Sequence, residues 1–141
     1  MATSLDARLN ANSPTVLSLY RAVFGFLFAT SGTSIILGWP LGEAVSVGVW
    51  PDWYSGAIES VTGVLIMAGL FTRAAAFLAS GEMAVAYFWI HQPKALWPLA
   101  VPGGHSNGGL PAVLFCFGFF LLVFTGGGAF ALDNLFARRK S

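Results

Sequence analysis

Four apolar stretches, each close to the length of a bilayer crossing, constrain this chain more than any other feature. A helix needs about 20 predominantly apolar residues to cross the hydrocarbon core. Residues 18–37, 53–71, 74–91 and 110–132 meet that requirement. Only 9% of the residues are charged and 56% are hydrophobic, where a soluble domain carries about 25% charge. Six acidic and seven basic residues cannot wet a soluble exterior, so lipid must be the solvent for most of the surface. The expected fold is all-α: an integral membrane four-helix bundle in a single domain, 1–141, ending in an amphipathic basic tail, 133–141. The apolar run after Arg8 extends past Leu37, too long for the core of a secretory signal, so it is expected to be a retained span. The net charge of +1 says nothing about nucleic acid, but no basic run sits on a polar face, so no nucleic-acid partner is expected. The single cysteine, Cys116, excludes an intrachain disulfide.

Charge asymmetry orients the bundle. Arg8, Arg73, Arg138, Arg139 and Lys140 lie in the two tails and the turn between the second and third spans, with Arg21 near the same side. The opposite loops, 38–52 and 92–109, hold Lys94 alone among Lys and Arg. The positive-inside rule then places both termini in the cytoplasm. Trp39, Trp50, Trp53, Trp89 and Trp97 all fall at or near the other interface, where an aromatic belt belongs. The tail DNLFARRK alternates apolar and basic residues and is expected to lie along the inner leaflet.

Three ionisable residues fall inside the spans: Arg21, Glu59 and Glu82. Facing lipid, each would cost about 2.5–3.5 kcal/mol or more, so each should point into the bundle. Helical spacing puts Ser18, Arg21, Gly25, Ala29 and Gly32 on one face, Ser55, Glu59, Thr62, Gly63 and Ile66 on a second, and Ala75, Ala79, Glu82 and Ala86 on a third. Small residues at those steps allow close helix approach. At 1.5 Å per residue, Arg21 lies roughly 5 Å and Glu82 roughly 12 Å inside the inner edge, with Glu59 roughly 9 Å from the outer edge. Arg21–Glu82 is therefore the preferred ion pair, and Glu59 faces the outer mouth with His91, His105, Lys94 or Tyr54 in reach. Both glutamates share Arg21 instead if the second span starts earlier. The bland alternative is that these charges fix helix register and nothing else.

Other groups carry less. His91 and His105 sit 14 positions apart on an outer loop, a spacing without a metal-ligand pattern, so no metal is expected there. Haem is disfavoured because no two histidines lie within the spans at facing depth. Cys116 reads as a small buried hydrophobe. The run 126–128, Gly-Gly-Gly, follows no strand and opens no phosphate-binding helix; it reads as a break at the inner end of the fourth span.

The order of RAVFGFLFATSG, ESVTGVLIMAGLFTRAAAFLA, an outer His, HSNGG and GGGAFALDNLF resembles the DoxX family of small four-helix membrane proteins, over 17–136. The resemblance implies a membrane subunit that anchors or assembles redox machinery. By position it marks Arg21, Glu59, Arg73, Asn107 and Asp133, with Arg73 and Asp133 at the inner face and Asn107 beside His91 and His105 at the outer mouth. The chain departs from the family pattern at Thr33-Ser34, Leu110 and Gly127, where relatives carry Lys, Glu and Pro. Losing that Lys and Glu removes two groups suited to anion binding or proton transfer.

The expected function is therefore a non-catalytic accessory subunit of a respiratory or other redox complex in a bacterial plasma membrane, with other membrane-protein subunits as partners. No cofactor is required, quinone being the one candidate. The alternatives are a quinone- or thiol-linked oxidoreductase subunit with a site near Glu59, and a proton or small-solute conduit.

Overall fold

The computed structural model describes residues 3–138, and it is helical throughout, with no strand among them. Four helices carry the fold: α1 (Ser4–Leu37), α2 (Asp52–Ala68), α3 (Thr72–Ala86) and α4 (Leu110–Thr125). A fifth, α5 (Asp133–Arg138), is a short terminal piece. They run up and down, with α1 packed most extensively on α2 and α3 on α4. The basic tail expected over 133–141 is thus helical at its start, while Arg139 and Lys140 lie outside the described residues.

Helix α1 starts 14 residues earlier than the sequence reading places it. Thr3 and Asp6 form a reciprocal capping box, which satisfies two amides of the first turn. At 34 residues α1 is about 51 Å long, and it alone among the described helices is long and apolar enough by itself to cross a membrane. Its first turns, through Val16, are exposed.

The other helices are shorter than expected. The 17 residues of α2 and 16 of α4 give about 26 and 24 Å. Gly69 ends α2 at φ 74°, and Gly126 ends α4 at φ 77°, ψ −163°, a conformation open to glycine alone. The fourth helix therefore stops at Thr125 rather than continuing to 132, and residues 126–132 fold back as a clasp of turns and bends. Helix α3 runs directly into a π-helical turn, Tyr87–His91, and a short 3₁₀ turn, Gln92–Lys94.

Small residues decide how the helices meet. The buried face of α1 is Ser18, Arg21, Gly25, Phe28, Ala29 and Gly32, and that of α2 is Gly56, Glu59, Ser60, Thr62, Gly63 and Ile66. A Cβ on Gly25 would collide with the Met67 backbone, and one on Gly63 with the Ala29 backbone. Backbone-to-backbone contact of this kind lets the two helices pack closely. On the other side, Ala75, Ala76, Ala79 and Met83 of α3 pack with Phe119 and Leu122 of α4. Phe24 and Phe28 bridge the two pairs, stacking edge-on against Phe119 at centroid distances of 6.2 and 4.7 Å.

Candidate functional site

The polar residues gather in three layers. At the end that holds Arg73, the Arg21 guanidinium is 3% exposed, and its hydrogen bonds go to backbone carbonyls. Nε donates to Gly127 O at 2.8 Å, Nη1 to the carbonyls of Ile66 and Met67, and Nη2 to Phe130 O at 3.4 Å. The carbonyls of Ile66 and Met67 close the last turn of α2, where the helix dipole is negative and favours a cation. Ser18 supports the same clasp, its hydroxyl accepting from Phe130 N at 3.0 Å. These contacts replace the Arg21–Glu82 pair expected from depth.

Asp133 completes this layer. Phe71, the residue preceding α3, adopts φ 50° and offers no side-chain cap. The Asp133 carboxylate accepts from Phe71 N at 2.7 Å and Thr72 N at 2.9 Å, capping α3 from 61 positions away. Burial alone would raise its pKa, but those amide bonds and the nearby Arg21 charge outweigh it and hold the carboxyl below its ordinary range. Arg73 stays exposed and donates to Val123 O at 3.0 Å, tying α3 to the end of α4.

At the opposite end Asn107 is buried and organises the long loop. Its side chain accepts from Gly109 N at 2.7 Å and donates to Ala95 O at 3.0 Å, while its amide donates to Trp97 O at 2.9 Å. His91 Nδ1 donates to the Asn107 carbonyl at 3.1 Å. His105 is exposed and does not join this cluster.

Between these layers lies the carboxylate pair. The Ser55 hydroxyl is 2.6 Å from Glu82 Oε1 and 3.2 Å from Glu59 Oε1. Glu59 and Glu82 therefore share a layer, about 10 Å along α2 from the Arg21 contacts. Measuring depth from opposite edges of a full-thickness bilayer separates them, but they lie equally far from the turn that joins α2 to α3, Glu59 ten positions before Gly69 and Glu82 ten after Thr72, and so stand level. The second oxygens, Glu59 Oε2 and Glu82 Oε2, are buried without a close hydrogen-bond partner among the described residues, although the Ser31 hydroxyl lies beside the Glu59 carboxyl. Ser55 carries one hydroxyl hydrogen, so it can donate to one carboxylate. The other contact closes when that carboxyl brings its own proton.

Glu82 and Ser55 also line a cleft of about 500 Å³ between α2 and α3. Its walls are apolar (Ile58, Phe77, Val85) and its rim aromatic, with Trp50 5.6 Å from Tyr54 and 6.0 Å from Trp89 between ring centroids. A cleft this size with a few convergent polar groups has the anatomy of a small-molecule site. The i, i+4 step from Ser55 to Glu59 was a usable signal for the serine bridge. No local signal links Asp133 to Phe71.

A family model for DoxX matches residues 16–92, more than half of the chain. The chain belongs to the DoxX family. An uncharacterized protein of Haemophilus influenzae is 38% identical over 132 residues, spanning 89% of this DoxX chain and 94% of that relative. No solved structure matches it. The DoxX family is membrane-associated, which agrees with the one long apolar helix. Of the residues marked by family position, Arg21, Arg73, Asn107 and Asp133 hold loops and helix ends, and Glu59 alone lies with an unpartnered atom beside the cleft.

Proposed function

We propose that this DoxX-family protein is a four-helix integral membrane protein of the bacterial plasma membrane, with both termini cytoplasmic, serving as a non-catalytic accessory or anchoring subunit of a redox complex. One observation carries the accessory role. Among the described residues, the buried polar side chains outside the carboxylate layer, Thr72 apart, are spent on backbone groups of their own fold, while large apolar side chains such as Phe117, Phe120 and Phe124 of α4 face outward. Such a surface suits lipid and neighbouring subunits alike. The redox link rests on family membership.

The ends support the orientation. Pro14, Arg21, Gly69, Arg73 and Asp133 meet at one end, and Trp50, Trp89 and Trp97 lie at the other. The short α2 and α4 suit a locally thinned bilayer or one flanked by anchoring aromatics. In a Cys116→Ser background, single cysteines replacing Ser4 and Val101 test the orientation with a membrane-impermeant maleimide. Val101→Cys should label in intact cells and Ser4→Cys only after permeabilisation; the reverse pattern inverts the topology. Purification in mild detergent tests the role. Co-elution of an oxidoreductase supports it, and a chain that elutes alone or only as a homo-oligomer refutes it.

A second reading, a proton or small-solute conduit, is favoured by the carboxylate pair on Ser55. Absence of pH-dependent flux in proteoliposomes would remove it.

A further inference from the structure

Among the described residues, no cation meets the carboxylate layer. Glu59 is 5% exposed, and its Oε2 and that of Glu82 have no close hydrogen-bond partner among the described residues. Arg21 is committed to carbonyls about 10 Å away along α2. His91 is held by the Asn107 carbonyl, and Lys94 is exposed beyond the π turn. The Ser31 hydroxyl lies beside the Glu59 carboxyl, so the acceptor left open at the cleft itself, among the described residues, is Glu82 Oε2, and a buried acceptor left unmade is costly.

Three features describe a donor that would meet it. The open side of the cleft is formed by exposed apolar groups, Phe77, Val85 and Trp89, so entry is from the apolar surface. Its volume of about 500 Å³ exceeds that of a metal ion or a water and suits a compact organic molecule. Its rim of Trp50, Tyr54 and Trp89 presents the aromatic faces that attract organic cations, most strongly when desolvated.

We infer that the α2–α3 cleft binds a lipophilic organic cation, with its charge against Glu82 and Ser55 and its apolar body between Phe77, Val85 and the tryptophan rim. The open Glu82 oxygen rewards a positive, donor-rich head, because a charged donor makes the stronger hydrogen bond to a carboxyl oxygen. The inference rests on the membrane placement and not on a redox partner, so its failure would leave co-purification untouched.

1-Adamantylammonium, a compact lipophilic cation with three N–H donors, titrated into the purified full chain in a neutral detergent and followed by calorimetry, is the test. Saturable one-to-one binding is expected, weakened at least tenfold by Glu82→Gln. Gly81 gives a variant that spares the carboxylates: it lines the cleft, and a Cβ built on it meets nothing within 4 Å. Gly81→Leu should fold, fill the cleft and abolish binding, which keeps the test decisive if a glutamine variant misfolds. Binding unchanged by Gly81→Leu, or absent from the wild type, overturns the site. A neutral quinol analogue that binds more tightly than the cation and survives Glu82→Gln overturns the choice of ligand.

Discussion

Replacing Arg21 with Met separates the carbonyl clasp from an Arg–Glu ion pair. Met keeps much of the apolar stem and removes every donor. Of the carbonyls it strands, Ile66 O retains a bond from Gly69 N at 3.0 Å, and Phe130 O was held at 3.4 Å. Met67 O and Gly127 O lose their main donor. Two buried acceptors at about 1–3 kcal/mol each predict a loss of about 2–6 kcal/mol, a large share of a typical 5–15 kcal/mol. Arg21→Lys should recover part of this, since one ammonium cannot reach three segments in the fork geometry of a guanidinium. Unfolding in mixed micelles with increasing SDS measures the effect. Under the carbonyl clasp Glu82→Gln costs less than about 1 kcal/mol, because its bond to Ser55 survives as a neutral one. Arg21→Met within about 0.5 kcal/mol of wild type, or Glu82→Gln as costly as Arg21→Met, would refute the assignment.

Other perturbations test the remaining layers. Asp133 has a lowered folded pKa, so its contribution is full above its unfolded value and is lost as pH falls through the folded one. Stability measured from pH 6 downward should therefore decline in the wild type below about pH 4, while Asp133→Asn is weaker at neutral pH and lacks that component; identical acid profiles would count against the cap. Gly63→Leu forces a side chain into the Ala29 backbone and should destroy the monodisperse peak in size-exclusion chromatography, whereas Gly42→Leu, with open space around it, should not. Asn107→Ala strands the Gly109 amide and the Ala95 carbonyl, and limited proteolysis should then cut within 95–107 much faster than in the wild type. Equal cleavage rates would mean that the loop holds without it.

Much of this protein is legible in its residues. The periodicity of small and polar residues along α1 and α2 marks the packing faces, because in lipid only close backbone approach and buried polar groups distinguish one side of a helix from another. Scarce charge likewise implies helices whose backbone groups are satisfied internally. Pairing was not legible, because it depends on axial register, and register depends on helix ends that glycine conformations decide. Gly69 ends α2 at the turn from which Glu59 and Glu82 stand level, and Gly126 ends α4 early and frees 127–133 to reach Arg21 and cap α3. Sequence alone thus determined that Arg21 and the two glutamates must point inward, since each is too costly to leave in lipid. Tertiary structure decided what they meet: carbonyls for the arginine, one shared serine for the glutamates, and an apolar cleft beside them.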